Sequence, residues 1–278
     1  MRSPRLTVSR TARLLVVALV VGLGISQLML TMVDWHLSDM GAYWEAGERL
    51  RAGQPLYPDL PDSEASEVYR YAPWFAWAWV PLTMLPRELV NVLWSAILLA
   101  ASAAALLPLL RARAWLAAAF FLPILVGIAA IGNVQPLVVA ALVLGLERRT
   151  GPLWLAVAAS LKAVPILFVV AYLGRREWLK AGAAILLTAL LVAPMLLYDL
   201  SAYPSGAGEA AALAAWPVAY GIVIGLGILV SLRLARSRFG WLASATTAAL
   251  AVPRLFVYDL TLLMAALPLR RRVPRESG

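Results

Sequence analysis

Asp39, Lys162, Arg254 and Asp259 are ionisable residues lying beside or inside long apolar runs, and together they could carry group transfer. A carboxylate such as Asp39 can take the proton of an attacking hydroxyl and stabilise positive charge on the carbon attacked. Asp34, just upstream, is an alternative for that role, and the two acids together could hold a cation. Lys162 interrupts Leu155-Ala-Val-Ala-Ala-Ser-Leu-Lys-Ala-Val-Pro-Ile166. An ammonium there is costly and so a functional candidate, with snorkelling to the membrane edge as the plainer reading. Beside a headgroup layer it would bind a phosphate. Arg254, in Pro253-Arg-Leu-Phe-Val-Tyr-Asp259, is a second cation, and Arg70, in Arg70-Tyr-Ala-Pro73, is a third. Asp259 either pairs with Arg254 or Lys162 or lines a polar cavity, with Tyr258 beside it. Asn133 and Gln135, in Gly132-Asn-Val-Gln135, offer donors and acceptors without a charge to desolvate, which suits sugar hydroxyls. Turn formation accounts equally well for Gly132 and Asn133.

Composition restricts what surrounds these residues. Hydrophobic residues make up 62% of the 278 and charged residues only 14%, too apolar for an ordinary water-soluble enzyme or a disordered chain. With no cysteine and one histidine, His36, thiolate chemistry and zinc sites built on several histidines are excluded. No dense acidic cluster is visible, and neither a metal nor a cofactor is predicted. No Gly-rich phosphate loop is present, so a nucleotide donor is not expected. A net charge of +9 would suggest nucleic acid in a soluble protein. Here the basic residues lie in clusters between apolar blocks, so no nucleic-acid partner is predicted.

The blocks that must position the polar residues are 14–33, 89–110, 115–131, 134–146, 152–173, 178–197, 216–232, 240–252 and 256–269. A bilayer core takes about 20 apolar helical residues. Basic residues cluster at Arg2 to Arg13, Arg111 and Arg113, Arg148 and Arg149, Arg175 to Lys180, Arg233 to Arg238, and Arg270 to Arg275. Placing these clusters inside puts both termini in the cytoplasm of a multi-pass cell (plasma) membrane protein. Residues 34–71, 132–133, 198–215 and 253–254 then lie outside. On that placement 152–173 must double back near 160–162 as two short helices, and 72–86 stays outside as an interfacial or re-entrant segment. The prediction is one all-α polytopic membrane domain, 1–278, with about ten transmembrane helices and no internal repeat. Its main polar part is the outer loop 34–86, expected to carry juxtamembrane and interfacial helices.

Within that loop, 39–53 reads as a short amphipathic helix capped by Ser38 or Asp39 and ended by Gly53. Tyr43, Ala46, Gly47 and Leu50 share one face, suited to lying on the membrane surface. Trp74, Trp77 and Trp79 follow Arg70 and suit headgroup anchoring.

The ordered set of these motifs resembles glycosyltransferase family 87, the polyprenyl-phosphate-mannose-dependent mannosyltransferases of the C-type membrane superfamily. The residues that carry it are Asp39 with Tyr43, Gly53 with Tyr57, Tyr71-Ala-Pro-Trp with Pro81, Trp94, Gly132-Asn-Val-Gln135 and Ser160-Leu-Lys-Ala-Val-Pro165. It spans roughly residues 30–200, with a weaker echo at 253–259. The chain is short for that family, has Tyr71-Ala-Pro where Tyr-Pro-Pro is usual, and has an abbreviated C-terminal half. The resemblance implies a C-type glycosyltransferase-like fold and an essential carboxylate in the first outer loop. By position that is Asp39, with Asp34 in reserve. It also implies a polyprenyl phosphate sugar donor and a lipid or glycan acceptor, within a setting of membrane lipids. Lys162, Arg254 and Arg70 would hold the donor phosphate, and Tyr43, Tyr57, Tyr71, Asn133, Gln135, Tyr258 and Asp259 the sugar or acceptor. Two other functions fit the composition: a transporter or flippase for a lipid or small solute, favoured by the interruption at Lys162, and a non-catalytic member of the family acting as a scaffold.

Overall fold

The computed structural model describes residues 18, 22, 25, 26, 29, 35–58, 68–201, 203 and 216–267. Among them every regular element is helical and none is a strand. Helix α1 is Ser38–Arg51 and α2 is Pro73–Trp79, followed by a 3-10 turn, Leu82–Met84. Then come α3 (Arg87–Arg111), α4 (Trp115–Ala130), α5 (Gln135–Gly145) and α6 (Gly151–Leu161). A 3-10 segment, Val164–Phe168, leads into α7 (Val169–Gly174). Helix α8 (Trp178–Val192) runs into the 3-10 turn Ala193–Leu197. The described chain ends with α9 (Pro217–Leu234), α10 (Gly240–Leu250) and a terminal 3-10 helix, Val257–Ala266.

Three stretches are long and apolar enough to cross a membrane: Arg87–Arg111, Trp178–Leu197 and Pro217–Leu234. Their outward faces carry Val92, Leu179, Leu186, Leu190, Ile222 and Leu226, all exposed. Apolar surface of that extent fits lipid rather than water, and the chain is a membrane-associated helical protein. The blocks 134–146 and 240–252 form helices of 11 residues each. Such a helix is about 16 Å long, half the thickness of a bilayer core. The expected first span, 14–33, lies almost wholly outside the described residues, as do Asp34 and the basic clusters at both ends of the chain.

The chain breaks where expected between 160 and 162. Lys162 leaves the helical region (φ −142°, ψ 123°) immediately after α6. Pro165 cannot donate a backbone hydrogen bond, which ends the regular ladder there. The segment then returns beside its own start, since the Tyr172 hydroxyl donates to Leu146 O at 2.7 Å. Two half-length helices thus replace one span, and their shared tip is Lys162.

The tip and the returning ends define two poles. At the far pole, Arg175 donates to Ala235 O at 2.8 Å and to Glu147 at 3.2 Å, while Arg236 donates to Gly174 O at 3.2 Å. The Trp241 indole also donates to Glu147. The basic clusters around 148, 175 and 236 therefore gather at one end. Lys162, Arg70 and Arg254 stand at the other, where a single cavity brings them together.

Helix α1 departs from expectation in two ways. It starts after Leu37, held in a left-handed conformation (φ 50°, ψ 39°), with no side-chain cap. The Asp39 side chain instead points at Asn133, because the backbone is pinned to the end of α4. Leu37 N–H donates to Ala130 O at 3.0 Å, and Asp39 N–H to Ile131 O at 2.8 Å. The face carrying Tyr43, Ala46 and Gly47 is buried against α2 rather than laid on lipid. A Cβ at Gly47 would stand 3.0–3.1 Å from Thr83 and Trp79. Tyr43, Phe75, Trp79 and Trp94 form an aromatic core with ring centroids 5.0–6.3 Å apart. Trp79 lies inside it, fully buried, and not at a headgroup layer.

Candidate functional site

A cavity of about 570 Å³ opens at the Lys162 pole. It collects residues from distant parts of the chain: Asp39 and Tyr43 of α1, Arg70 and Tyr71 before α2, Asn133 and Gln135 at the turn into α5, and Lys162 after α6. The last stretch adds Arg254, Phe256, Tyr258 and Asp259.

The turn 131–135 is the hinge of this arrangement. Gly132 has φ +80°, a conformation that suits glycine, and an added Cβ would lie 2.8 Å from Met40 Cβ. Its carbonyl accepts the Trp94 indole N–H at 2.8 Å. The turn thus sits directly on the start of α1. Asn133 Nδ2 donates to Asp39 Oδ2 at 2.5 Å, while Asn133 Oδ1 accepts the Gln135 backbone N–H at 2.9 Å. Gln135 is fully buried, and its Nε2 donates to Thr261 Oγ1 at 3.0 Å and, more weakly, to Tyr258 O at 3.4 Å. The Thr261 hydroxyl donates in turn to Tyr258 O. Asn133 is thus engaged at both ends of its carboxamide and Gln135 at its nitrogen, while Gln135 Oε1 is buried at the cavity with no hydrogen-bond partner among the described residues.

Burial raises the Asp39 carboxyl above the ordinary aspartate range, against the Asn133 hydrogen bond, the charges of Lys162 and Arg70, and Ser38, which all lower it. An anion is costly at this place, and the cations and the amide make it tolerable. Tyr43 and Tyr71 are raised by burial, so both hydroxyls stay protonated; they lie 3.1 Å apart.

Lys162 Nζ stands 4.3 Å from the centre of the Tyr258 ring, and the Arg254 guanidinium 5.0 Å from that of Phe256. The two rings stack at 5.1 Å with 12° between their planes. Each cation–π contact is worth about 0.5–2 kcal/mol and holds its cation at the cavity. Tyr258, expected at the sugar or acceptor, lines the cavity and also carries Lys162 over its ring. Asp259 Oδ2 accepts the Phe256 backbone N–H at 3.0 Å, and its charge acts on Lys162. Of the two alternatives for Asp259, both hold in part: it lines the cavity and its charge faces a cation.

Tyr57, expected at the site, is not among the lining residues. It is buried between Tyr69 and Tyr203, and its hydroxyl donates to Tyr71 O at 2.8 Å, supporting the wall from behind. Tyr203 also lines the cavity and donates to Arg70 O at 3.1 Å. Phe256, Tyr203 and Thr261 escaped the sequence reading. Arg254 two positions before an aromatic was the one hint of a cation–π pair. Nothing local marks Tyr203 or Thr261. No three His, Cys, Asp or Glu side chains come together among the described residues. Comparisons with protein-family models, with curated proteins and with solved structures find no match for this chain.

Proposed function

We propose that this chain is a membrane glycosyltransferase that moves a sugar, mannose by its resemblance to glycosyltransferase family 87, from a polyprenyl phosphate to an acceptor hydroxyl. The observation that carries this reading is one cavity lined by Asp39 and by Lys162, Arg70 and Arg254. Asp39 is the base. The acceptor oxygen attacks the anomeric carbon from the face opposite the phosphate and its proton passes to the Asp39 carboxylate. The bond from the anomeric carbon to the phosphate oxygen breaks, and polyprenyl phosphate leaves with one further negative charge. Lys162, Arg70 and Arg254 offset that charge. Configuration at the anomeric carbon inverts, and no general acid is needed for so good a leaving group.

In this reading the cavity faces the outer leaflet. The basic clusters at the far pole lie in the cytoplasm with both termini, in a cell membrane protein of C-type architecture. About ten crossings follow if α4, the short helices α5, α6, α7 and α10, the terminal 3-10 helix and the segment 14–33 join the three long stretches in traversing the bilayer. A lipid-borne donor suits a site at the edge of apolar helices. The test is incubation of membranes holding the parent protein or Asp39→Asn with labelled polyprenyl phosphate mannose. A labelled product from the parent that is absent with the variant supports the proposal. Equal product from both removes Asp39 as the base. A flippase is the second reading, favoured by the unwound residue Lys162 between two half-length helices. Lipid movement in proteoliposomes without any transfer would favour it.

A further inference from the structure

We infer that Asn133 is a positioning residue for Asp39, holding the carboxylate at the cavity wall through its carboxamide nitrogen in an orientation that Gln135 sets from behind. The inference rests on Asp39 being the group that acts. Donor chemistry assigns the two ends of the Asn133 amide. A backbone N–H can only donate, so the end of Asn133 that lies 2.9 Å from Gln135 N is the carbonyl. The other end, 2.5 Å from Asp39 Oδ2, is therefore the NH2 group. An N–H facing a carboxylate favours its ionised form, which is the form a base needs.

Gln135 can serve as the fixed point because it has no exposed surface and its side-chain nitrogen donates to Thr261 Oγ1 at 3.0 Å. Asp39 is held from the same turn a second time, by its backbone N–H on Ile131 O. The carboxylate is thus anchored at both its main chain and its side chain to 131–135. A sugar-binding amide would keep its polar atoms toward the cavity. Asn133 is buried with its oxygen and its nitrogen both engaged, the arrangement expected of a residue that acts through another. Lys162, Arg70, Tyr43, Tyr71 and Tyr258 also face Asp39, but only Asn133 does so from the turn that anchors it.

Infrared difference titration of the purified full chain, with Asp39→Asn as the subtracted reference, reads the protonation midpoint of Asp39 without any substrate. Asn133→Ala should move that midpoint up by roughly one to two pH units. Asn133→Asp keeps the shape but replaces the donor with a second carboxylate, and should move it further still. In transfer from polyprenyl phosphate mannose, the acid limb of kcat should move by the same interval while KM for the donor stays within about two-fold. An unmoved midpoint in both variants overturns the inference. So does a loss of transfer confined to KM, which would make Asn133 a sugar contact. If the midpoint moves but the parent consumes no lipid-linked sugar, the positioning role stands and the transferase reading falls.

Discussion

At the scale of single residues, Asp39 is the base of the proposed transfer, and its burial dictates a pH dependence for that reaction. Its carboxyl is raised above the ordinary 3.8 by desolvation, so transfer needing the anion falls away on acidification at a pH above 3.8. The matching stability effect has the opposite sense. A carboxyl with a raised folded-state value favours folding below 3.8, and that contribution is lost as pH rises through the folded-state value. Asp39→Asn should therefore lose transfer yet unfold at the same or a higher temperature than the parent at neutral pH, with the gap closing in acid. A lower melting temperature at pH 7 would show that Asp39 is a structural anion. Lys162→Gln should cut kcat/KM by about 10–100-fold, the size of one lost charge-assisted contact to phosphate. Fitting initial rates against polyprenyl phosphate mannose concentration checks it. Tyr258→Leu removes the ring under Lys162 and should weaken the donor phosphate contact by up to about ten-fold, whereas Tyr258→Phe keeps the ring and should change little.

At the scale of elements, the turn 131–135 and the start of α1 form one unit. Its backbone is strained at Leu37 and left-handed at Gly132, and each is held by the other. Gly132→Ala would add both an unfavourable φ and a carbon 2.8 Å from Met40, so it should cost about 1–3 kcal/mol in thermal or denaturant unfolding. It should also release Asp39 from Asn133. A variant as stable as the parent would mean that α1 slides freely on the turn. The amphipathic helix was legible in the sequence to within a residue or two. Its cap was not: Ser38 and Asp39 are both good capping residues, and only the hydrogen bonds from residues 37 and 39 to the end of α4 turn Asp39 away from that role. Its inner face was misplaced for a related reason. Tyr43, Ala46 and Gly47 suit lipid or an aromatic neighbour equally, and the partner, α2, lies beyond a loop whose path no local rule dictates.

At the scale of the whole molecule, polarity is the organising fact. Three basic clusters meet at one pole, and the cations and carboxylates of the cavity meet at the other. The chain contains no cysteine, so single cysteines report sidedness without a background. Cysteines replacing Arg149 or Arg238 should react with an impermeant thiol reagent only from the cytoplasm, and cysteines replacing Gln54 or Asp199 only from outside. Labelling of all four from one side would place the two poles in the same compartment and end the outer-leaflet assignment.

Helical character, the long apolar stretches, the break at Lys162 and the identities of Asp39, Lys162, Arg70 and Arg254 are properties of the sequence by itself. Each follows from local cost: an apolar run long enough for lipid, a proline that cannot donate, a charge beside an apolar run. What each polar side chain faces was decided only by tertiary structure. The two carboxamides of 133 and 135 look alike in sequence, yet one holds the carboxylate and the other holds the terminal 3-10 helix. Tyr57 lies behind the wall and Tyr258 lies under a lysine. Those roles depend on contacts between segments up to about two hundred residues apart, such as Asp39 beside Tyr258, and no spacing rule within one segment reaches across that distance.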